Sequence, residues 1–427
     1  MPPEQIVTAD LVWTGNAFEP EVHVRIDPDG RIAEVGTFDV EPTLVLDGQA
    51  LLPGMVSSHS HAFQRGLRGR GETFPEGAGS FWTWREAMYG LVASLDPDSF
   101  YRLCRATFTE MLACGITTVG EFHYVHHDRG DDHAFDALIL RAAADAGIRI
   151  ALLQAYYNTG AIGQPLAGAQ IRFRGRSAAD YLAQLDHLET LLDGERQSLG
   201  VVVHSIRAAS VDDLVELHGQ AKDRGLVFHM HLEEQRQEIE DCLTAYGKRP
   251  MALLCERLEI DRAFTAVHCT HSDPRDLERF LAAGGNVSIC PLTEANLGDG
   301  IADVPAFLSG DQQLSIGTDS NSRLSMAEEM RWLEYAQRLS GERRGVCRAS
   351  DGQVATTLFD VATLGGARSL ALDVGRIAPR CWADFFTLDL AAPSLDGWTA
   401  DTLLASFIFG ARDEAVRRVC VGGRWIS

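Results

Sequence analysis

The chain has 427 residues, 45% of them hydrophobic, and 60 acidic against 38 basic side chains give a formal charge of −22. At about 150 residues per domain, that length predicts two or three domains or one large barrel with an appendage. The acidic excess excludes a general binder of nucleic acid or anionic membrane, whose footprint is basic, and the mixing of charged with apolar residues excludes disorder.

The opening MPPEQIVTAD lacks the basic-then-apolar pattern of a signal peptide, and no run approaches 18 apolar residues, so a soluble cytoplasmic protein is expected. The first fifty residues predict short strands: IVTADLVWTG, then VHVRIDPDGRIAEVGTF around a D-P-D-G turn, then LVLDGQALLPG. The last fifty predict three more segments of the same kind, ADFFTLDL, TLLASFIFG and AVRRVCVGGRWI. A β-rich start and a β-rich end predict one small β-sandwich domain built from residues 1–52 and 375–427.

Between them the chain alternates. Strands are predicted at 55–61, 116–124, 149–157, 199–206, 226–232, 264–271, 286–292 and 314–320. Most gaps hold a helical pattern. The clearest follows Asp96-Pro97, an N-cap and first-turn pair, with apolar residues at Phe100, Leu103, Phe108, Met111 and Leu112 before Gly115. Others are predicted over 132–146, 178–192, 210–223, 273–283 and 325–339. Eight near-continuous apolar strands with helical crossovers predict an α/β fold, a parallel (β/α)8 TIM-like barrel over 53–374.

Polar residues gather where barrel chemistry is placed, at the strand C-termini. The first strand ends in His59-Ser-His61, whose i, i+2 spacing points both imidazoles to one side. The fourth ends in His204-Ser-Ile-Arg207, the fifth in His229-Met-His231-Leu-Glu-Glu234, the sixth in His268-Cys-Thr-His271, and the eighth in Asp319. Singly, each motif suits an ordinary strand end, and Asp319 suits a helix cap. Jointly, His59, His61, His231 and Asp319 predict a site for a single divalent ion with a position left for water. Only two lysines occur, Lys222 and Lys248, and neither ends a strand, so a carboxylated lysine bridging two ions is not expected. Zinc is the first expectation, with iron also compatible with an imidazole-rich site. Glu234, three residues beyond His231, is placed to accept a proton from water, although Glu233 and Glu234 would also suit a helix's first turn. Asp319 can share that duty, and His268 can polarise or orient the attacked centre, with His271 its rival. The nine scattered cysteines form no C-x-x-C and predict no disulfide framework.

H-S-H, H-M-H-x-x-E, H-C-T-H and G-T-D-S, in this order, resemble the deaminase branch of the amidohydrolase superfamily. LLPGMVSSHSHAFQRG, SFWTWREAMY, GEFHYVHHD, VVHSIRA, CPLTEANLGDG and MRWLEYAQRL resemble more narrowly the formimidoylglutamate deiminases, which act on N-formimino-L-glutamate in histidine degradation. The resemblance implies zinc on His59, His61, His231 and Asp319, catalytic roles for Glu234 and His268, and substrate contacts from Gln64, Arg85, Tyr124, His204 and Arg207. It also implies a homodimer. A small dicarboxylate is an awkward ligand for so acidic a chain, and Arg85 and Arg207 would supply bidentate forks for it. The alternative substrate is a purine or other cyclic amidine, and the rival class is a catalytically inert barrel kept for assembly.

Trp82 and Trp84 are expected to pack or to form a lid, and the glycine-rich stretch 66–79 is a lid candidate. His126, His127, His133, His187, His218 and His229 are expected to be structural. Two positions depart from the pattern. Asn321 stands where relatives commonly carry histidine, which makes it a candidate for altered substrate contacts. Ser57-Ser58 stand where larger residues are usual.

Overall fold

A computed structural model describes residues 3–74, 79–308, 313–349 and 352–426. Eight parallel strands follow one another in chain order around a barrel: Met55–Ser60, Ile116–His123, Arg149–Tyr156, Gln197–Val203, Phe228–Leu232, Phe264–His268, Asn286–Ile289 and Leu314–Ile316. Seven of them are buried at every position, because helices cover one face and the barrel interior the other. That is why they read as unbroken apolar runs rather than as alternating ones.

The first and eighth strands meet at the C-terminal rim. His61 N–H donates to the Asp319 carbonyl (2.9 Å), and the N–H groups of Thr318 and Asp319 donate to the His59 carbonyl (3.0 and 3.1 Å). Gly317 permits this closeness, since a Cβ there would lie 2.6 Å from the His59 carbonyl oxygen. Ser57 and Ser58 complete the seam. Ser57 Oγ accepts from Thr318 N–H (3.1 Å), and Ser58 Oγ donates to the Ile316 carbonyl (2.9 Å). The small hydroxyl residues at these two positions are seam hydrogen-bonders.

The chain termini share one mixed eight-stranded sheet. Its order runs Arg424–Ile426, Val416–Val421, Phe385–Asp389, Leu44–Pro53, Gln5–Trp13, His23–Ile26, Ile32–Gly36, with Phe18–Glu19 paired to Gln5–Trp13. Val7, Val24, Ile26, Leu46, Leu51 and Phe385 form its own small core. The D-P-D-G turn at 27–30 makes the hairpin expected of it, with Gly30 at φ 85° and its N–H on the Asp27 carbonyl (2.9 Å). Sheet and barrel are joined by Arg149, at the start of the third barrel strand. It grips Asp384 through Nε (2.7 Å) and Nη2 (3.0 Å) and lies over the Trp382 ring.

One expected strand is a helix. Residues of TLLASFIFG form the helix Leu403–Gly410, which buries Leu403, Leu404, Phe407 and Ile408 against the larger core. Those four positions follow the 3.6-residue period, but the run is so apolar that a strand pattern fits it equally. Its carbonyls at Phe407 and Ile408, with that of Ala411 just beyond its end, receive the Arg331 guanidinium from helix Met326–Gly341. Further helices go beyond the sequence expectations, among them Phe81–Ser94, Arg236–Tyr246, Pro250–Arg257, Pro291–Leu297 and Val354–Asp360.

Candidate active site

The barrel's C-terminal rim gathers the predicted ligands. His59 Nε2 lies 3.2 Å from His231 Nε2 and 3.4 Å from Asp319 Oδ1; His61 Nε2 lies 3.4 Å from His231 Nε2 and 3.3 Å from Asp319 Oδ1. A tetrahedral ion with bonds of about 2.0–2.1 Å separates its ligands by roughly 3.3–3.4 Å. Tautomers agree with that spacing. His61 Nδ1–H donates to the Phe122 carbonyl (2.8 Å) and His231 Nδ1–H to the His204 carbonyl (3.0 Å), which leaves both Nε2 atoms as lone pairs aimed at each other. Two facing lone pairs repel unless a cation sits between them. Burial holds all three imidazoles below their ordinary pKa, His59 at about 3, so they are neutral as metal ligands must be. Burial opposes ionisation of Asp319, but His59 and His61 outweigh it and keep the carboxyl well below the usual range. The residues present fit a divalent metal ion.

Strained backbone marks the same rim. Of the ten described non-glycine residues with positive φ, five are Glu233, His268, Cys269, Asp319 and Asn321. Register puts His231 opposite Val267, so His268, one residue further on, reaches beyond the ligand layer. His268 Nδ1 contacts Glu294 Oε1 (3.2 Å), and Glu294 Oε1 also accepts the Cys290 N–H (2.9 Å). The imidazole therefore donates from Nδ1 and turns Nε2 away from Glu294. Burial resists its protonation, but Glu234, Glu294 and Asp319 outweigh it and raise it to about 10. Glu234 is buried just ahead of helix Arg236–Tyr246 rather than solvated in its first turn. Burial pushes its carboxyl upward, and the neighbouring His268 pulls against that.

One cleft joins these groups to the remaining predicted residues. Its walls include Gln64, Arg85, Tyr124, His204 and Arg207 together with His61, His231, Glu234, His268 and Asp319; His59 lies behind them, fully buried. Gln64 Nε2–H donates to Tyr124 Oη (2.8 Å), while its Oε1 is buried without a partner. An orphaned acceptor in a cleft wall suits a ligand that donates. Arg207 is buried and held through Nε by Glu238 Oε2 (3.0 Å). Arg85, on helix Phe81–Ser94, donates through Nε to Tyr89 Oη (2.5 Å) and lies over the Trp82 and Tyr89 rings. Burial and the two guanidiniums keep His204 neutral.

Several expectations are corrected. Asn321 does not face the cleft: it is wholly buried in the seam, its amide donating to Ser60 Oγ (3.1 Å) and the Asp319 carbonyl (2.8 Å) while its Oδ1 accepts from Thr318 Oγ1 (2.8 Å). Its left-handed φ of 53° is one that asparagine tolerates. Trp84 lines the cleft directly, whereas Trp82 is exposed beside Arg85. His271 is half-buried, outside the cleft walls, and bonds the Asp299 backbone. Of the lid candidate 66–79, residues 75–78 lie outside the described residues. Glu238 and Glu294 were not anticipated. Their only sequence signal was position, four residues after Glu234 and within TEANLGDG, and a lone acid in a helix ordinarily reads as solvated.

The amidohydrolase family profile matches residues 50–426. Formimidoylglutamate deiminase of Pseudomonas aeruginosa is 39% identical over 417 residues, 95% of this chain and 90% of that enzyme. A 5-methylthioadenosine/S-adenosylhomocysteine deaminase of Natronomonas pharaonis is 28% identical over 96% of this chain and 91% of its own length. Among solved structures, an amidohydrolase from Brucella melitensis superposes with a TM-score of 0.89 at 31% identity, covering 99% of this chain and 94% of that one. An adenosine deaminase from Xanthomonas campestris, described with bound zinc, shares the fold at a TM-score of 0.83 and 23% identity, over 99% of this chain and 93% of its own. The chain belongs to the amidohydrolase family.

Proposed function

We propose that this member of the amidohydrolase family hydrolyses N-formimino-L-glutamate to N-formyl-L-glutamate and ammonia, a deimination within histidine degradation. The carrying observation is that Arg85 and Arg207 share one cleft with the histidine–aspartate cluster and Glu234. In a chain of charge −22, a dicarboxylate needs such a local pair of forks. The similarity to the Pseudomonas aeruginosa deiminase supports the same reading.

His59, His61, His231 and Asp319 would hold one zinc ion, with ferrous iron the other candidate. Such an ion, when bound, lowers the pKa of a water from ~15.7 to about 7. Glu234 takes the proton of the attacking water and passes it to the formimino nitrogen; its burial, which raises the carboxyl, suits both halves of that task. His268, aligned by Glu294, orients the formimino carbon for attack, and Asp319 can share the handling of the proton. Arg207 and Arg85 receive the two carboxylates, and the unpartnered Gln64 Oε1 accepts an N–H of the substrate. The new carbon–oxygen bond forms, the carbon–nitrogen bond breaks, and ammonia leaves.

Two broader readings accompany this one. The chain divides into 1–52 plus 375–427 and 53–374, with helix Leu403–Gly410 docked on the second unit. It acts as a cytoplasmic homodimer. No described helix is long and apolar enough to cross a membrane, and exposed Ile301, Trp332 and Leu339 around one surface pocket suit a subunit contact. Sedimentation velocity checks the dimer.

The function is tested by ammonia release from N-formimino-L-glutamate by zinc-loaded protein, beside N-formyl-L-glutamate, guanine and adenosine. Release from the formimino compound alone is expected. Activity only on a purine would leave the two guanidiniums without a role and overturn the substrate.

A further inference from the structure

Glu238 occupies the first turn of helix Arg236–Tyr246, its side chain almost wholly buried. Its two carboxylate oxygens serve different elements. Oε2 accepts from Arg207 Nε (3.0 Å), and Oε1 accepts the backbone N–H of Glu233 (2.9 Å). Glu233 has φ 52°, a left-handed conformation that is strained for a non-glycine residue. Its own side chain turns to the Met251 N–H (3.1 Å), while Glu234 lines the cleft. The bend at Glu233 thus aims Glu234, and Glu238 holds that bend.

Among the described residues, Glu238 is the hydrogen-bonding partner of the Arg207 guanidinium. Engaging Nε fixes the plane of the group and leaves its terminal nitrogens for the cleft. From this geometry we infer that Glu238 is a positioning residue that ties the substrate-carboxylate arm, Arg207, to the backbone that aims the proton-transferring Glu234. The inference rests on the proposed role of Arg207 in carboxylate binding. A carboxylate meets both donors with acceptors. A glutamine of the same shape must turn its NH2 toward one of them, so it can satisfy either Arg207 or Glu233 but not both.

The test is steady-state kinetics of Glu238→Gln on zinc-loaded enzyme, alone and in an Arg207→Gln background, with metal content and thermal melting as controls. On N-formimino-L-glutamate, E238Q is expected to lower kcat/KM by about 10- to 100-fold, with KM raised and kcat lowered together. With Arg207 already replaced, E238Q should raise KM no further while still lowering kcat. Glu238→Asp, still charged but one methylene shorter, is the second variant and should raise KM less than E238Q. Additive KM effects in the Arg207 background, unchanged kinetics in a folded E238Q, or an E238D as impaired as E238Q would overturn the coupling. Failure of the substrate reading looks different, since the unaltered protein itself would then be silent on N-formimino-L-glutamate.

Discussion

Two buried clusters in this barrel each combine three histidines with one aspartate, and they differ in what faces what. Around His59, His61, His231 and Asp319, nitrogens stand 3.2–3.4 Å apart with lone pairs opposed. Around Asp136, at the start of helix Asp136–Ala146, the carboxylate itself is the acceptor that the surrounding nitrogens face. His123 Nε2 lies at 2.9 Å, His126 Nδ1 at 2.8 Å and His133 Nδ1 at 3.1 Å, and the amides of Gln154 (2.8 Å) and Gln184 (2.9 Å) also donate to it. These are hydrogen-bond lengths, shorter than the edge of a tetrahedral zinc site. Composition is alike in the two clusters, and apart from the partly exposed His133 so is burial. The difference teaches that a candidate metal site is recognised by imidazole nitrogens that face one another, whereas the Asp136 carboxylate gathers its neighbours' N–H groups and braces the rim beside the second strand.

The comparison breaks if the two clusters respond alike to mutation. The largest effect is expected for His231→Ala, which should lose stoichiometric metal and reduce kcat/KM by about three orders of magnitude or more, read by elemental analysis and ammonia release. Glu234→Ala should lower kcat by about 10²- to 10⁴-fold with one metal ion per chain retained, and equal activity would remove it from proton transfer. Asp136→Asn should do the reverse. Metal content stays at one per chain, while denaturant unfolding shows a loss of about 3–5 kcal/mol, because an amide cannot receive five donors. A second metal equivalent lost on that substitution would make the Asp136 cluster a metal site after all. Arg85→Gln sharpens the cleft's role and should raise KM by about tenfold or more with little change in kcat.

The smallest effect is one of pH. Burial opposes ionisation of Asp136, but the surrounding histidines prevail and hold its carboxyl well below the ordinary 3.8. A folded pKa below the unfolded one contributes stability above the unfolded value and loses it as pH falls toward the folded one. The stability gap between the unaltered protein and Asp136→Asn should therefore be full at pH 7 and narrow below about pH 4. A constant gap down to pH 2 would remove the carboxylate's charge from the explanation.

Much of this was legible in the residues. All eight barrel strands were, because strands covered on both faces must be apolar throughout, and polar residues at their ends stand out against that background. Helix Leu403–Gly410 was not, since a short and nearly uniform apolar run carries no period that separates strand from helix. The small sheet was legible as strands, but its order was not. Glu238 and Glu294 were hidden because burial, which turns an ordinary acid into a positioning group, is a property of neighbours distant in the chain. Asn321 misled for the opposite reason: it stands two residues beyond the candidate ligand Asp319, but a left-handed backbone turns its side chain into the seam.

By itself, then, the sequence determined the donor set. H-x-H on a strand places two imidazoles on one side whatever surrounds them, and E three residues after a ligand stays near it. The tertiary structure decided which of two histidine–aspartate groups leaves lone pairs unsatisfied, and which arginines meet in one cleft. His59 and His231 are 172 residues apart, and only barrel closure at the Gly317 seam sets the 3.2 Å between their nitrogens. That distance depends on how eight strands tilt and pack together, and no local preference encodes it.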